Sequence, residues 1–302
     1  MDHWYQHFRR CGRADLASRV TIMQEHVFLD PVRLAAERAM LQAVTNPVIW
    51  ACTNPMLMDP VIERCEQVWG PGGFFVMHWD AARQPTANQA YWPCFLIEQQ
   101  INQRQPIATR QHRISMLSGR VRSHRIEFWH SIRDLVRSDD VVVINRFGVD
   151  RCGFDHPALQ ELPWSNRAEF LDESQDRPVC TNTTATDHPA FRACVNITAE
   201  TLGPGPEIFI TEKTWKALAA GCMLWHWGCD GAARYLSGLG FQDWFHQPTA
   251  QAADLFRRDD IRDFYRDNEH AVFQEVEQFW SPALLRSLTQ PALTQLDSWL
   301  DR

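Results

Sequence analysis

Ile208-Phe209-Ile210-Thr211-Glu212-Lys213-Thr214-Trp215-Lys216-Ala217-Leu218-Ala219-Ala220-Gly221 runs into the apolar stretch Cys222-Met223-Leu224-Trp225-His226-Trp227 and then into Gly228-Cys229-Asp230-Gly231. Thr211 has the hydroxyl of an N-cap, Glu212 falls in the first turn where the helix dipole favours negative charge, and Gly221 suits a C-terminal stop. The spacing predicts a short helix feeding a buried strand, then a Gly-bracketed loop and a second helix from Ala232 to Leu236. Such α-β-turn-α units belong to parallel sheets, whose ligands gather at the carboxyl ends of the strands.

Working outward, the same alternation recurs. Apolar strands are predicted at Val27–Asp30, Val48–Cys52, Phe74–Asp80, Ile114–Leu117, Val141–Asn145 and Cys194–Glu200, with helices at Leu34–Val44 and Pro60–Val68. Strands separated by helices mean βαβ units, so the fold class is α/β. The span from Arg146 to Asp187 is rich in loops, with a short helix expected near Asn166–Leu171. From Thr249 onward the pattern is helical, over Ala252–Arg258, Ile261–Phe279 and Pro282–Leu300.

Only two of the 30 basic residues are lysines, Lys213 and Lys216, and both fall in one helical turn beside Glu212. A compact ammonium whose length and hydration suit a phosphate oxygen would explain the placing, since lysine and arginine are not interchangeable at such sites. The plainer reading is an i,i+4 surface pair between Glu212 and Lys216. A second cluster lies at Arg104–Arg137, where eight arginines (104, 110, 113, 120, 122, 125, 133 and 137) meet only Glu127 and Asp134. The turn Ser118-Gly119-Arg120 and a helix starting near Ser123 would form an anion site at a strand end, with Arg120, Arg122 and Arg125 as a diphosphate clamp. The alternative is a solvated basic helix face.

Three stretches carry a family likeness: Val195–Thr201 with the loop Leu202–Glu207 and Thr211-Glu212-Lys213; Tyr235–Phe241; and Ile114–Arg125. Together they resemble the nucleotide-sugar-binding domain of the α1,3-fucosyltransferases and of a wider set of phage and viral glycosyltransferase-like proteins. The likeness spans roughly residues 110 to 245 and leaves the N-terminal third uncovered. It implies a GT-B-like fold, with two Rossmann-like domains facing a cleft and C-terminal helices packing back across it. On that pattern residues 1–108 form the acceptor-side domain, 109–248 the nucleotide-sugar-binding domain, and 249–302 the C-terminal helices. It further implies that Glu212 holds the ribose hydroxyls, that Lys213 meets phosphate, that Arg125 best matches the motif's final arginine, and that Thr211 and Glu200 belong to the donor site. The implied donor is a UDP-sugar, with a GDP-sugar as the alternative.

No Asp-x-Asp occurs, so no metal is expected to hold the donor diphosphate; fixed cations and helix N-termini would stabilise the leaving group. No other cofactor is expected. An inverting transfer needs a carboxylate to take the acceptor's proton. Asp80, at a strand end, is the first candidate and Asp30 the second; a turn cap is the alternative reading of Asp80, and a core histidine that of nearby His78.

A net charge of −7 argues against a general polyanion binder, and nine cysteines without Cys-x-x-Cys fit buried thiols better than disulfides or zinc. No long apolar run or signal-peptide profile is present, and the tail carries ten acids against six arginines, so a cytoplasmic enzyme without a membrane partner is expected. The favoured acceptor is a hydroxymethylated pyrimidine in phage DNA, with double-stranded DNA held by the Arg104–Arg137 region. The alternatives are a glycan acceptor and a non-catalytic nucleic-acid-binding protein.

Overall fold

The computed structural model describes residues 2–24, 43–51, 58–101, 104, 106–118, 123–144, 171–172, 177–178, 189–200, 203, 205–245 and 252–302. The expected strand Val27–Asp30 and the bulk of the helix Leu34–Val44 lie outside them. The chain divides into two units, one made of 1–101, 207–209 and 282–302, the other of 102–206 and 210–281.

In the first unit α1 (Asp2–Arg10) and α2 (Leu16–Arg19) lead to β1 (Thr21–Gln24), β2 (Val48–Ala51), α3 (Met58–Trp69), β3 (Phe74–His78), β4 (Gln89–Tyr91) and α4 (Cys94–Ile101). The strands pair in the order β1-β2-β3-β4, all parallel. Every residue of β2 and β3 is buried, which is why both read as unbroken apolar runs rather than alternating ones. Val61, Cys65 and Val68 of α3, spaced one helical turn apart, pack on Trp50, Phe74 and Val76. The C-terminal helix, Pro282–Leu300, belongs to this unit too: Trp299 lies 5.7 Å from Phe75 and donates its indole N–H to Gly72 O at 2.8 Å. Arg13 grips Asp297 with two hydrogen bonds of 2.8 Å.

The second unit begins with β5 (His112–Ser118), α5 (Ser123–Ile132) and β6 (Val141–Ile144). A short antiparallel pair follows, β7 (Leu171–Asp172) with β8 (Arg177–Pro178). Then come β9 (Ala193–Ala199), α6 (Glu212–Ala219), β10 (Met223–Trp227), α7 (Ala232–Gly238), α8 (Ala252–Arg257), α9 (Ile261–Asp267) and α10 (Glu269–Trp280). The parallel sheet runs β10-β9-β5-β6, so the chain winds outward from β5 to β6 and then returns to the other side of β5. That reversal puts a topological switch point between β5 and β9, the place where open α/β sheets bind ligands. One face of the sheet, bearing Ile114, Met116, Val195, Ile197 and Trp225, packs against Phe128 and Ile132 of α5, Phe256 of α8 and Ile261 of α9. The other is covered by α6, itself backed by α10 through Trp215 and Phe279 at 6.2 Å.

The structure differs from the sequence expectations in several elements. The helical tail does not act as one segment: α8, α9 and α10 stay with the second unit and the last helix joins the first. Helix Ile261–Phe279 is broken at Asn268, which ends α9 and precedes α10. Helices α1, α2 and α4 and strands β1, β4, β7 and β8 had no prediction; β4 and α4 lie in a stretch whose glutamines interrupt any regular apolar period. Arg113, expected ahead of its strand, sits within β5.

Candidate functional site

The carboxyl ends of β9 and β10 and the amino ends of α5 and α6 meet in the second unit. Thr211 has extended backbone (φ −98°) and its hydroxyl accepts from Lys213 N at 3.4 Å, the geometry of an N-cap. The cap is anchored from β9. Fully buried Glu200 accepts from Thr211 N at 3.0 Å and from the Thr214 hydroxyl at 2.6 Å, while its second oxygen accepts from the Thr211 hydroxyl. Glu200 N in turn donates to Trp227 O at 2.8 Å. The strand end and the helix start are thus one hydrogen-bonded unit.

Arg125, in the first turn of α5, reaches across the switch point. It is 2% exposed and donates through one terminal nitrogen to Ala199 O at 2.7 Å and Glu200 O at 2.8 Å. A guanidinium therefore lies against the end of β9, beside the carboxylate that fixes α6. Arg120 and Arg122 lie outside the described residues.

Both lysines adjoin Glu212. Lys213 Nζ donates to the Glu212 carboxylate at 2.8 Å and to the Thr211 hydroxyl at 3.2 Å, and the Glu212 and Lys213 side chains are only 13% and 12% exposed. Lys216 is 1% exposed, so it is not on a solvated helix face. Burial works against ionisation of Glu212, but Lys213 and then Lys216 outweigh it and hold the carboxyl below its ordinary range. The mouth of α6 presents a carboxylate and an ammonium, both largely shielded from water, on a helix N-terminus that favours anions.

A row of buried polar residues leads to this point, and sequence reading had not singled it out. Asn196 and Thr198 share a face of β9 with Glu200, and the Thr198 hydroxyl donates to Asn196 Oδ1 at 2.9 Å. Asn196 Nδ2 donates to the Ser115 hydroxyl at 2.9 Å on β5, while His226 on β10 is in register with Thr198 and lies 3.9 Å from Glu200. Burial holds the His226 imidazole below its usual pKa despite the pull of Glu200. The signal was present: polar residues at every second position of a strand whose other face is wholly apolar.

In the first unit Asp80 stands in the bend after β3, 8% exposed. Its Oδ1 accepts from Ala82 N at 2.9 Å and Ile208 N at 2.8 Å, and Ala81 N donates to Ile208 O at 2.8 Å. The carboxylate thus caps the bend and holds residues 207–209, whose Phe209 stacks near Trp79 at 6.3 Å. Oδ2 has no partner among the described residues. Asp30 lies outside them. His78 is fully buried and, with burial first and Arg83 second, its pKa falls to about 4.

Among the described arginines of the basic span, Arg110, Arg113 and Arg125 are committed internally. Arg110 donates to the carbonyls of Phe191, Ala193 and Ala220; Arg113, 3% exposed, pairs with Asp140 at 2.7 Å. Exposed Arg104, Arg133 and Arg137 lie beside Glu277, Asp134 and Asp259. Two cavities of about 410 Å³ lie elsewhere, one beside Trp69 and Trp299 in the first unit, the other beside Arg110 and Tyr265 in the second. No helix of the described residues is long and apolar enough to cross a membrane.

No protein-family model matches the chain, and no curated protein does. Among solved structures it is similar to one described as the glycotransferase of kitacinnamycin, with 13% identity, 92% of this chain and 76% of that chain covered, and a TM-score of 0.36.

Proposed function

We propose that the second unit binds a nucleotide diphosphate sugar at the mouth of α6 and that the protein is a metal-independent glycosyltransferase. The observation that carries this reading is the joint Glu200 makes between β9 and the Thr211-Glu212-Lys213 turn, next to a switch point of the sheet. It favours the residues in which the chain resembles nucleotide-sugar enzymes. In the proposed complex Glu212 accepts the ribose hydroxyls, and the Lys213 ammonium leaves Glu212 for a phosphate oxygen. The α6 amino terminus and the Arg125 charge add to the positive field on the leaving diphosphate. Glu200, with its oxygens engaged by Thr211 and Thr214, positions the turn rather than touching the donor.

Within this reading the fold is GT-B-like, the donor is a UDP-sugar or GDP-sugar, transfer inverts the anomeric carbon, and Asp80 Oδ2 takes the acceptor's proton. The acceptor is better sought among glycans and other soluble hydroxyl compounds than in hydroxymethylated DNA, because Arg110, Arg113 and Arg125 are bound to carbonyls or to Asp140, and exposed Arg104, Arg133 and Arg137 each stand beside an acid. The test is release of nucleoside diphosphate from UDP- and GDP-sugars over a panel containing both acceptor classes. Acceptor-dependent release that Asp80→Asn abolishes, with donor binding intact, supports the assignment. Absence of release with every donor and acceptor contradicts it.

A further inference from the structure

Helices α1 and α4 of the first unit bring together three side chains that no reading of the donor site uses. His7, Cys94 and Glu98 each offer one ligand atom, and these atoms all lie within 4.8 Å of one another. Cys94 and Glu98 stand at i and i+4 on one face of α4, with the Cys94 thiol donating to the Glu98 carboxylate at 3.4 Å. His7 comes from the facing side of α1, which packs on α4. His7 and Cys94 are 0% and 2% exposed, whereas Glu98 is partly exposed and leaves a route to solvent.

We propose that these residues form a binding site for a divalent transition-metal ion, zinc above all. One imidazole nitrogen, one thiolate and one carboxylate are a three-ligand zinc set that leaves a fourth, exchangeable position. Ligand atoms around a tetrahedral zinc stand roughly 3.3–3.8 Å apart given bond lengths of about 2.0–2.3 Å, so shifts of about an ångström close the site. Charge supports it: a thiolate, a carboxylate and a neutral imidazole sum with Zn²⁺ to zero, which removes the main objection to burying an ion. Cys94 is also the first residue of α4, where the helix dipole favours negative charge. On binding, the thiol proton passes to solvent and the sulfur–carboxylate hydrogen bond is replaced by two metal–ligand bonds, so the uptake of metal falls as pH is lowered. The spacing hid this set in the sequence, because His7 lies far from the Cys94–Glu98 pair and no Cys-x-x-Cys marks it.

The test uses the full chain, stripped with a chelator and titrated with Co²⁺ and then Zn²⁺. Expected are a thiolate-to-cobalt charge-transfer band that saturates at one equivalent, its displacement by Zn²⁺, and a Tm raised by several degrees with saturating Zn²⁺. Cys94→Ala should abolish the band, and Glu98→Gln, at a partly exposed position that leaves folding intact, should weaken Zn²⁺ binding at least tenfold. Cobalt bound without a charge-transfer band, the mark of surface histidines only, overturns the proposal. So does a band that survives Cys94→Ala.

Discussion

Thr211 shows how much one side chain can hold. Its hydroxyl donates to Glu200 while accepting from Lys213 N and Lys213 Nζ, so it caps α6, secures β9 and orients the lysine at once. Thr211→Ala should cost about 1–2 kcal/mol of stability in urea unfolding, the upper range for a lost cap, and Thr211→Ser should recover most of it. Lys213 is the counterpart in the proposed donor site. Lys213→Ala leaves the helix cap in place and should change stability little, and a loss of more than about 2 kcal/mol would show that the lysine serves the fold rather than a ligand. The sequence made Thr211, Glu212 and Lys213 legible because capping, dipole and the rarity of lysine all mark the same turn. It could not show that Lys216 turns inward, since an i,i+4 acid–lysine pair looks the same on a solvated face as on a buried one. Asp80 was also half legible: its place after an apolar strand is local information, but its hydrogen bond to Ile208 N joins residues far apart in the chain.

Helix α6 is fixed at both ends. Gly221 follows it with φ +72°, and a Cβ there would meet Ile107 Cδ1 at 3.3 Å and Val276 Cγ2 at 3.4 Å. Gly221→Ala therefore combines a left-handed backbone with a tight contact, and a loss of about 1–3 kcal/mol is expected in thermal or denaturant unfolding; a neutral substitution would mean the turn can relax. Strands β2, β3 and β9, buried throughout, were readable as short apolar runs bounded by turns, whereas β1 (Thr21–Gln24) was not. Strand β4 and helix α4 were not readable, because β4, three residues long, pairs among the described residues with β3 alone, and α4 buries Gln99 and Gln100 among its apolar residues, which blurs its period. The buried polar row on β9 was written in the alternation Asn196, Thr198, Glu200, a pattern easily passed over inside a run that is apolar at every other position.

For the molecule as a whole, stability should respond to pH through Glu275 of α10. Burial pushes its carboxyl up to about 7, against the pull of Gln242 N and the Trp244 indole N–H. A folded pKa above the ordinary 4.5 means that the native state holds the proton more tightly than the unfolded chain. Its contribution is therefore full below about 4.5 and declines as pH rises toward 7, by at most about 3 kcal/mol. Glu275→Gln should remove that decline, so that the difference in Tm between variant and parent moves in the variant's favour from pH 5 to pH 8; parallel profiles would refute it. The order of strands in each sheet was beyond sequence reading, because it is set by which edges pair and not by any local pattern. The proposed donor site rests on it too, since the order β10-β9-β5-β6 puts a switch point between β9 and β5.

The most direct measurement is calorimetric titration of UDP- and GDP-sugars into the parent protein and into Lys213→Ala, in buffer containing EDTA. Saturable binding of at least one donor without any metal, weakened by about 10- to 100-fold in the variant, is the predicted result, as befits one charge-assisted contact to phosphate. Donor binding that Lys213→Ala leaves unchanged, or no binding of any nucleotide sugar, would contradict the assignment of the α6 turn as the donor site.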